Sequence, residues 1–376
     1  MKKYFLVLAM LPSLLGIAFA QKIKQERINV QYTQLPGAPL DPSFTTYTVR
    51  IRGGSYHLES MRTTPAALEK FFTMDGFKKI PGGGHFTIDV NIGFLRIESD
   101  KMESTSTKVK QKDGTEKTVT TYYKTIQWSL PISWRLYDYE GKVVFDTYWV
   151  GRDKLQTYNT PSSNTTGEAS RYWADNYNRI TNDLASNHIN SNLREMGQHI
   201  RQSFDFQKIV RATDELEVLR EKDEEYAEYN QAFETVKVAF AQMTPDQPVD
   251  KLRETVKPAV EFWLKAKDKY DPTDKKQKGL IHACLFNTAS VFYWLDDLES
   301  AERYANQAND LDWKEGRSKR LLREIEGTRK LFAANKVTTR HIFRDLENAI
   351  PPAKAIELAE KAEEEAANSA VFNGHL

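Results

Sequence analysis

The chain has 376 residues, a formal net charge of +1, 40% hydrophobic residues and 11% aromatic residues. That apolar content supports real cores and excludes a fibrous, low-complexity or wholly disordered protein. A balance this close to neutral also excludes a protein built for non-specific nucleic-acid binding, which needs a basic excess.

At roughly 150 residues per domain, the length accommodates two domains. The first element, residues 1–20, has the form of a signal peptide. Lys2 and Lys3 precede an apolar run from Phe5 to Phe19, and Ala18-Phe19-Ala20 supplies small residues where a peptidase cuts. The run is about 15 residues, short of the ~20 that span a bilayer, so cleavage before Gln21 is expected and no transmembrane anchor. No cysteine lies near this site, so no lipid anchor is expected either; the one cysteine, Cys284, sits in an apolar segment as a buried, inert thiol.

Residues 21–165 carry period-2 alternation and turn signals, the pattern of a β-rich α+β domain with a mostly antiparallel sheet. Tyr47, Val49 and Ile51 alternate with polar neighbours, as do Phe86, Ile88 and Val90. Ile126, Trp128 and Leu130 share one face of a long run, followed by Ile132, Trp134 and Leu136, then Val143 and Phe145. Asp113-Gly114 and Glu140-Gly141 are hairpin signals. Thr64 followed by Pro65 predicts a capped helix running to Phe72. Lys101–Thr121 is polar on both faces and predicts a hairpin standing off the sheet into solvent, with edges open to an added strand.

Residues 158–167, YNTPSSNTTG, predict a loop, and residues 166–225 are expected to be connecting helices. Ala169, Trp173, Tyr177, Ile180, Leu184, Ile189, Leu193, Met196 and Ile200 recur every three or four positions, the core face of one long helix or of two with a break near Ser186–Asn192. Phe206–Lys222 is expected to continue as a charged amphipathic helix. Residues 226–340 predict an all-α domain, with Tyr229, Phe233, Val236, Phe240 and Met243 as one clean stripe. Residues 341–376 predict a C-terminal helix and tail, begun by Pro351-Pro352 and docked loosely or facing solvent.

Within the helical half, LFNTASVFYWLDDLESAERYANQANDLDW, residues 285–313, resembles one tetratricopeptide repeat (TPR). Ala289 and Phe292 match the first helix, Leu295-Asp296-Asp297 the turn, and Ala301, Ala305 and Ala308 the second helix, although an aromatic is usual where Ala305 stands. Small residues at these positions let two helices approach closely. Ala259, Trp263 and Ala266, with Pro272 after them, form a weaker echo whose first helix is displaced by the connection Thr244–Val249. The whole layout also resembles secreted envelope proteins of uncharacterised function from Bacteroidota. These resemblances imply a TPR-like helical domain behind the sheet domain and an extracytoplasmic place in a Gram-negative envelope, and no known reaction.

The sequence carries no HExxH, no Cys/His cluster and no G-x-S-x-G elbow. Pro81-Gly82-Gly83-Gly84-His85 lacks the ending of a phosphate loop and precedes a strand, so a flexible loop is expected. Glu195 and His199 are expected to be a surface pair. No catalytic residue, cofactor or metal is therefore assigned. The expected function is a non-enzymatic adaptor or scaffold holding another envelope protein. A glycan binder is the alternative, if Trp128, Trp134, Tyr137, Tyr148 and Trp149 offered exposed rings. A hydrolase would instead need a cleft uniting His57 or His85 with Asp89 or Glu98.

Overall fold

The structure, a computed structural model, describes residues 23–219, 224–313 and 315–361. The expected signal peptide and the end of the tail lie outside them. The chain is α+β. Its strands are β1 (Ile23–Gln34), β2 (Thr46–Gly53), β3 (Lys78–Lys79), β4 (Phe86–Ile92), β5 (Arg96–Lys110), β6 (Glu116–Ser129), β7 (Ile132–Asp138), β8 (Val143–Val150), β9 (Gln156–Asn159) and β10 (Gln207–Leu219). Its helices are α1 (Ser55–Ser60), α2 (Pro65–Leu68), α3 (Thr166–Phe204), α4 (Glu224–Phe240), α5 (Asp250–Lys267), α6 (Lys275–Trp294), α7 (Leu298–Asp310) and α8 (Glu315–Asn335). The described residues form two compact units, a sheet unit of Thr33–Lys208 with residues 331–361, and a helical unit of residues 23–32 with Ile209–Lys330.

The sheet unit holds a five-stranded sheet in the order β3-β2-β4-β7-β8 and a three-stranded sheet in the order β5-β6-β9. β4 is central, and its Phe86, Ile88, Val90 and Ile92 are almost wholly buried. It pairs antiparallel with β7, Val90 opposite Trp134. Its other neighbour, β2, runs parallel to it, because α1 and α2 lie between the two strands as a crossover. The Thr64 hydroxyl accepts from the Ala67 amide at the start of α2, as its sequence predicts. Both hairpins also form where Gly114 and Gly141, each at positive φ, permit the turn.

The 39-residue α3 is one unbroken helix, opened by a Thr165–Glu168 capping box. Its C-terminal half packs Ile189, Leu193, Met196 and Ile200 into the main core beside Val90 and Trp134. Its N-terminal half packs Trp173 and Ile180 on Ile126 of β6. Tyr177 leaves the expected stripe and is exposed. At Gly197 the helix comes so close to its neighbour that a Cβ would stand 2.0 Å from the Phe71 carbonyl.

Two expectations are corrected here. Residues 207–219 are not part of the connecting helices; they are β10, paired with β1, which the alternation analysis does not place. The charges Asp214, Glu215 and Glu217 suggested the solvent face of a helix, but Glu217 is fully buried with dedicated partners. The loop at 81–85 is not free either. Gly83, at φ 71°, lies so close to residues 353–361 that a Cβ there would be 2.9 Å from the Ala355 carbonyl, and Ala355 is buried. Before that helical stretch, the Arg344 guanidinium lies over the rings of Phe77 and Phe206.

In the helical unit the α4 stripe is buried as its spacing predicts. α6 is buried nearly all round and forms a helical hairpin with α7 through a turn at Asp296, whose φ is 59°. The Asp297 carboxylate caps α7 by accepting from Ser300 N at 3.0 Å.

Candidate functional site

Between α5 and the end of α6 lies a groove of about 410 Å³. Its floor is apolar. Val256, Val260 and Leu264 come from one face of α5, each four residues from the next, Phe292 from the last turn of α6 and Leu295 from the residue after that helix; Leu264 and Phe292 are partly exposed, with the other three buried beneath them. Its rim mixes signs, with Arg253 and Lys257 against Glu254, Glu261 and Asp297. The floor is held in shape from behind. Phe292 stacks on Tyr304 of α7, centroids 5.7 Å apart, and Arg253 Nη2 donates to the Leu295 carbonyl at 2.6 Å. That bond satisfies one of the orphan carbonyls at the end of α6 and fixes Arg253 at the mouth.

Of the repeat positions assigned from sequence, Phe292 lines this groove. Ala289, Ala301, Ala305 and Ala308 are fully buried; Ala308 joins Ile281 and Leu285 in one apolar cluster. Ala259, Trp263 and Ala266 are buried on α5, with Trp263 against the Tyr229 ring. The sequence assignment missed Val256, Val260 and Leu264. Their i, i+4, i+8 spacing was the available signal, but a helix stripe ordinarily faces a core.

A second constellation lies deeper in the same unit. His282 Nδ1 is 3.1 Å from Glu217 Oε2, and its Nε2 is 3.2 Å from Ser318 Oγ. Hydroxyl, imidazole and carboxylate in that order have the layout of a nucleophilic triad. Yet all three side chains are fully buried, so no substrate carbonyl reaches Ser318. Arg317 donates to the other Glu217 oxygen at 3.1 Å and lies over the Phe286 ring. Asn287 accepts from the Glu217 amide and donates to its carbonyl. The network fixes β10 to α6 and α8. A buried carboxylate is tolerable only with such partners.

The residues expected of a hydrolase cleft are engaged separately. His57 Nε2 accepts from Leu95 N, and burial lowers its pKa. His85 Nδ1 meets the Thr46 hydroxyl, Asp89 pairs with Arg52, and Glu98 accepts from Ser129. Burial pushes the Cys284 thiol up to about 12, which removes its thiolate at neutral pH. Glu195 and His199 are both exposed. Among the described residues no three His, Cys, Asp or Glu side chains group as metal ligands would, and no helix is long and apolar enough to cross a membrane. Trp128 and Trp134 are core residues; of the aromatics between them and Trp149, Tyr148 is the one well exposed. The chain matches no protein-family model, and no curated protein is significantly similar to it.

Proposed function

We propose that this protein is a non-enzymatic adaptor outside the cytoplasm, whose TPR-like helical unit binds an amphipathic helix of another envelope protein in the groove between α5 and α6. The observation that carries this reading is the apolar floor of Val256, Val260, Leu264, Phe292 and Leu295 framed by charges of both signs. Val256 to Leu264 spans eight residues of helix, about 12 Å, enough for two turns of a partner helix laid alongside. Apolar side chains on such a helix at i, i+3 or i+4 and i+7 would meet the floor, and mixed charge beside them would meet the rim. The Phe292–Tyr304 stacking and the Arg253–Leu295 hydrogen bond hold the floor in shape, which lowers the ordering cost of binding.

The test is affinity capture from solubilised envelope, comparing the wild type with Leu264→Asp and with a control in the sheet unit, Val144→Asp at an exposed position of β8. The expected result is one partner retained by the wild type and the control and lost with Leu264→Asp, while circular dichroism shows all three folded. Equal retention by all three overturns the groove as the binding site.

A further inference from the structure

The hairpin β5–β6 carries an interaction surface of its own. The two strands stay in register from Ser99 opposite Gln127 to Lys110 opposite Glu116, beyond a bulge between Ile97 and Ser99. The tip is closed by Gln111 N donating to Thr115 O at 2.8 Å and by the Asp113 carboxylate accepting from Thr115. From Glu103 to Lys110 every β5 side chain is exposed. β5 has β6 on one side and, among the described residues, no strand on the other. A two-stranded ribbon without an apolar face is marginal by itself, and its open edge presents a row of backbone donors and acceptors to another strand.

The charge along β5 selects which strand that is. Asp100 lies near one end of the regular stretch and Lys108 and Lys110 near the other, all on one face of the strand, with uncharged Ser104 and Ser106 between them. No proline interrupts Arg96–Ser129. A strand acidic at one end and basic at the other is complementary to itself when turned antiparallel. Turned about Ser104, it sets Asp100 of each copy opposite Lys108 of the other, with Lys110 diagonal to it. Shifting the axis to Glu103 would set two carboxylates face to face. Among the described residues Lys108 pairs in its own chain with the exposed Glu116 at 3.4 Å, and Asp100 with Lys124 at 2.7 Å, so pairing of the two edges adds Lys108 and Asp100 to existing surface ion pairs, which are weak enough to be shared.

We propose that two copies of this chain join through their β5 edges, antiparallel about Ser104, to make one continuous sheet from the two hairpins. The occupant of the edge is a second copy, and the contact is isologous. This surface is in the sheet unit and is independent of the groove reading.

Cysteine cross-linking of the full chain tests it. Ser104→Cys places two thiols about 5 Å apart across the axis, near the reach of a disulfide, whereas Val109→Cys places them about 33 Å apart. Cys284 is buried and does not compete. Mild oxidation is expected to dimerise Ser104→Cys and leave Val109→Cys monomeric. In light scattering, Lys108→Asp and Asp100→Lys are each expected to weaken the dimer at least tenfold, and mixing the two variants to restore it, since every opposed pair is then opposite in sign. Restoration on mixing also shows that both variants fold. A monomeric wild type at 100 µM (~0.1 mM, well above the Kd of a stable dimer), equal cross-linking of both cysteine variants, or no recovery on mixing overturns the proposal.

Discussion

Asp205 ends α3 with a carboxylate that is 2% exposed and makes no well-formed hydrogen bond. Burial raises its pKa to about 7; the nearby Asp75 and Phe206 backbone amides and the charge of Arg201 offset part of the rise, and the like charge of Asp75 adds to it. An acid whose folded pKa lies above its unfolded value costs stability as pH climbs from the unfolded value, near 4, to about 7, and the cost is constant above that. Asp205→Asn is therefore expected to raise the stability at pH 8 by about 1–3 kcal/mol, with the gain vanishing near pH 4. Thermal melts of both proteins at the two pH values decide this. A gain equal at both would assign the effect to shape and not to charge. The buried alanines make a second expectation at this scale. Ala301 is fully buried on α7 and Gln307 is exposed on the same helix. Ala301→Leu is expected to overpack the contact and cost about 1–3 kcal/mol, while Gln307→Leu stays within about 0.5 kcal/mol. Equal melting temperatures would mean that this face of α7 is not tightly packed.

At the scale of elements, the glycine loop and the helical stretch 353–361 hold each other in place. Gly83 needs positive φ and leaves no room for a side chain under Ala355, and Lys354 reaches Glu140 at 3.0 Å. Gly83→Val is expected to release the stretch without unfolding the sheet, seen as cleavage near residue 350 at protease levels the wild type resists. Unchanged protection would place the contact elsewhere. Much of the sheet unit was legible because its strands alternate. Val49, Ile88, Trp134 and Leu136 are buried as their period requires, and Asp113-Gly114 turns the hairpin where that dipeptide tolerates positive φ. β10 was not legible, because its charges look like the wet face of a helix until Arg317 and His282 are seen around Glu217. The close fit at Gly83 was hidden too, since a glycine run shows freedom and not what fills it. For the groove, Phe292 was marked as a position in a helix pair and not as a lining residue, and whether Val260 and Leu264 face a neighbour or a cleft depends on packing that local spacing does not encode.

For the whole molecule, the composition shift near residue 165 suggests a boundary there, but Thr160 Oγ1 accepts from Lys124 N and Ser163 bridges Tyr122, so the loop is stitched to β6. α3 belongs with the sheets, and the helical unit draws on β1 and β10. A fragment of residues 228–335 would lack Leu216, Val218 and the Glu217 partners of His282 and Asn287. It is expected to melt without a cooperative transition, whereas a fragment that fuses residues 23–32 to 209–330 melts as one unit. A sharp transition for the shorter fragment would make β1 and β10 dispensable.

The pairing of β1 with β10 also orders events during synthesis. The first strand leaves the ribosome long before the strand it needs. In that interval β1 is a strand edge without its partner, open to non-native pairing until β10 is made.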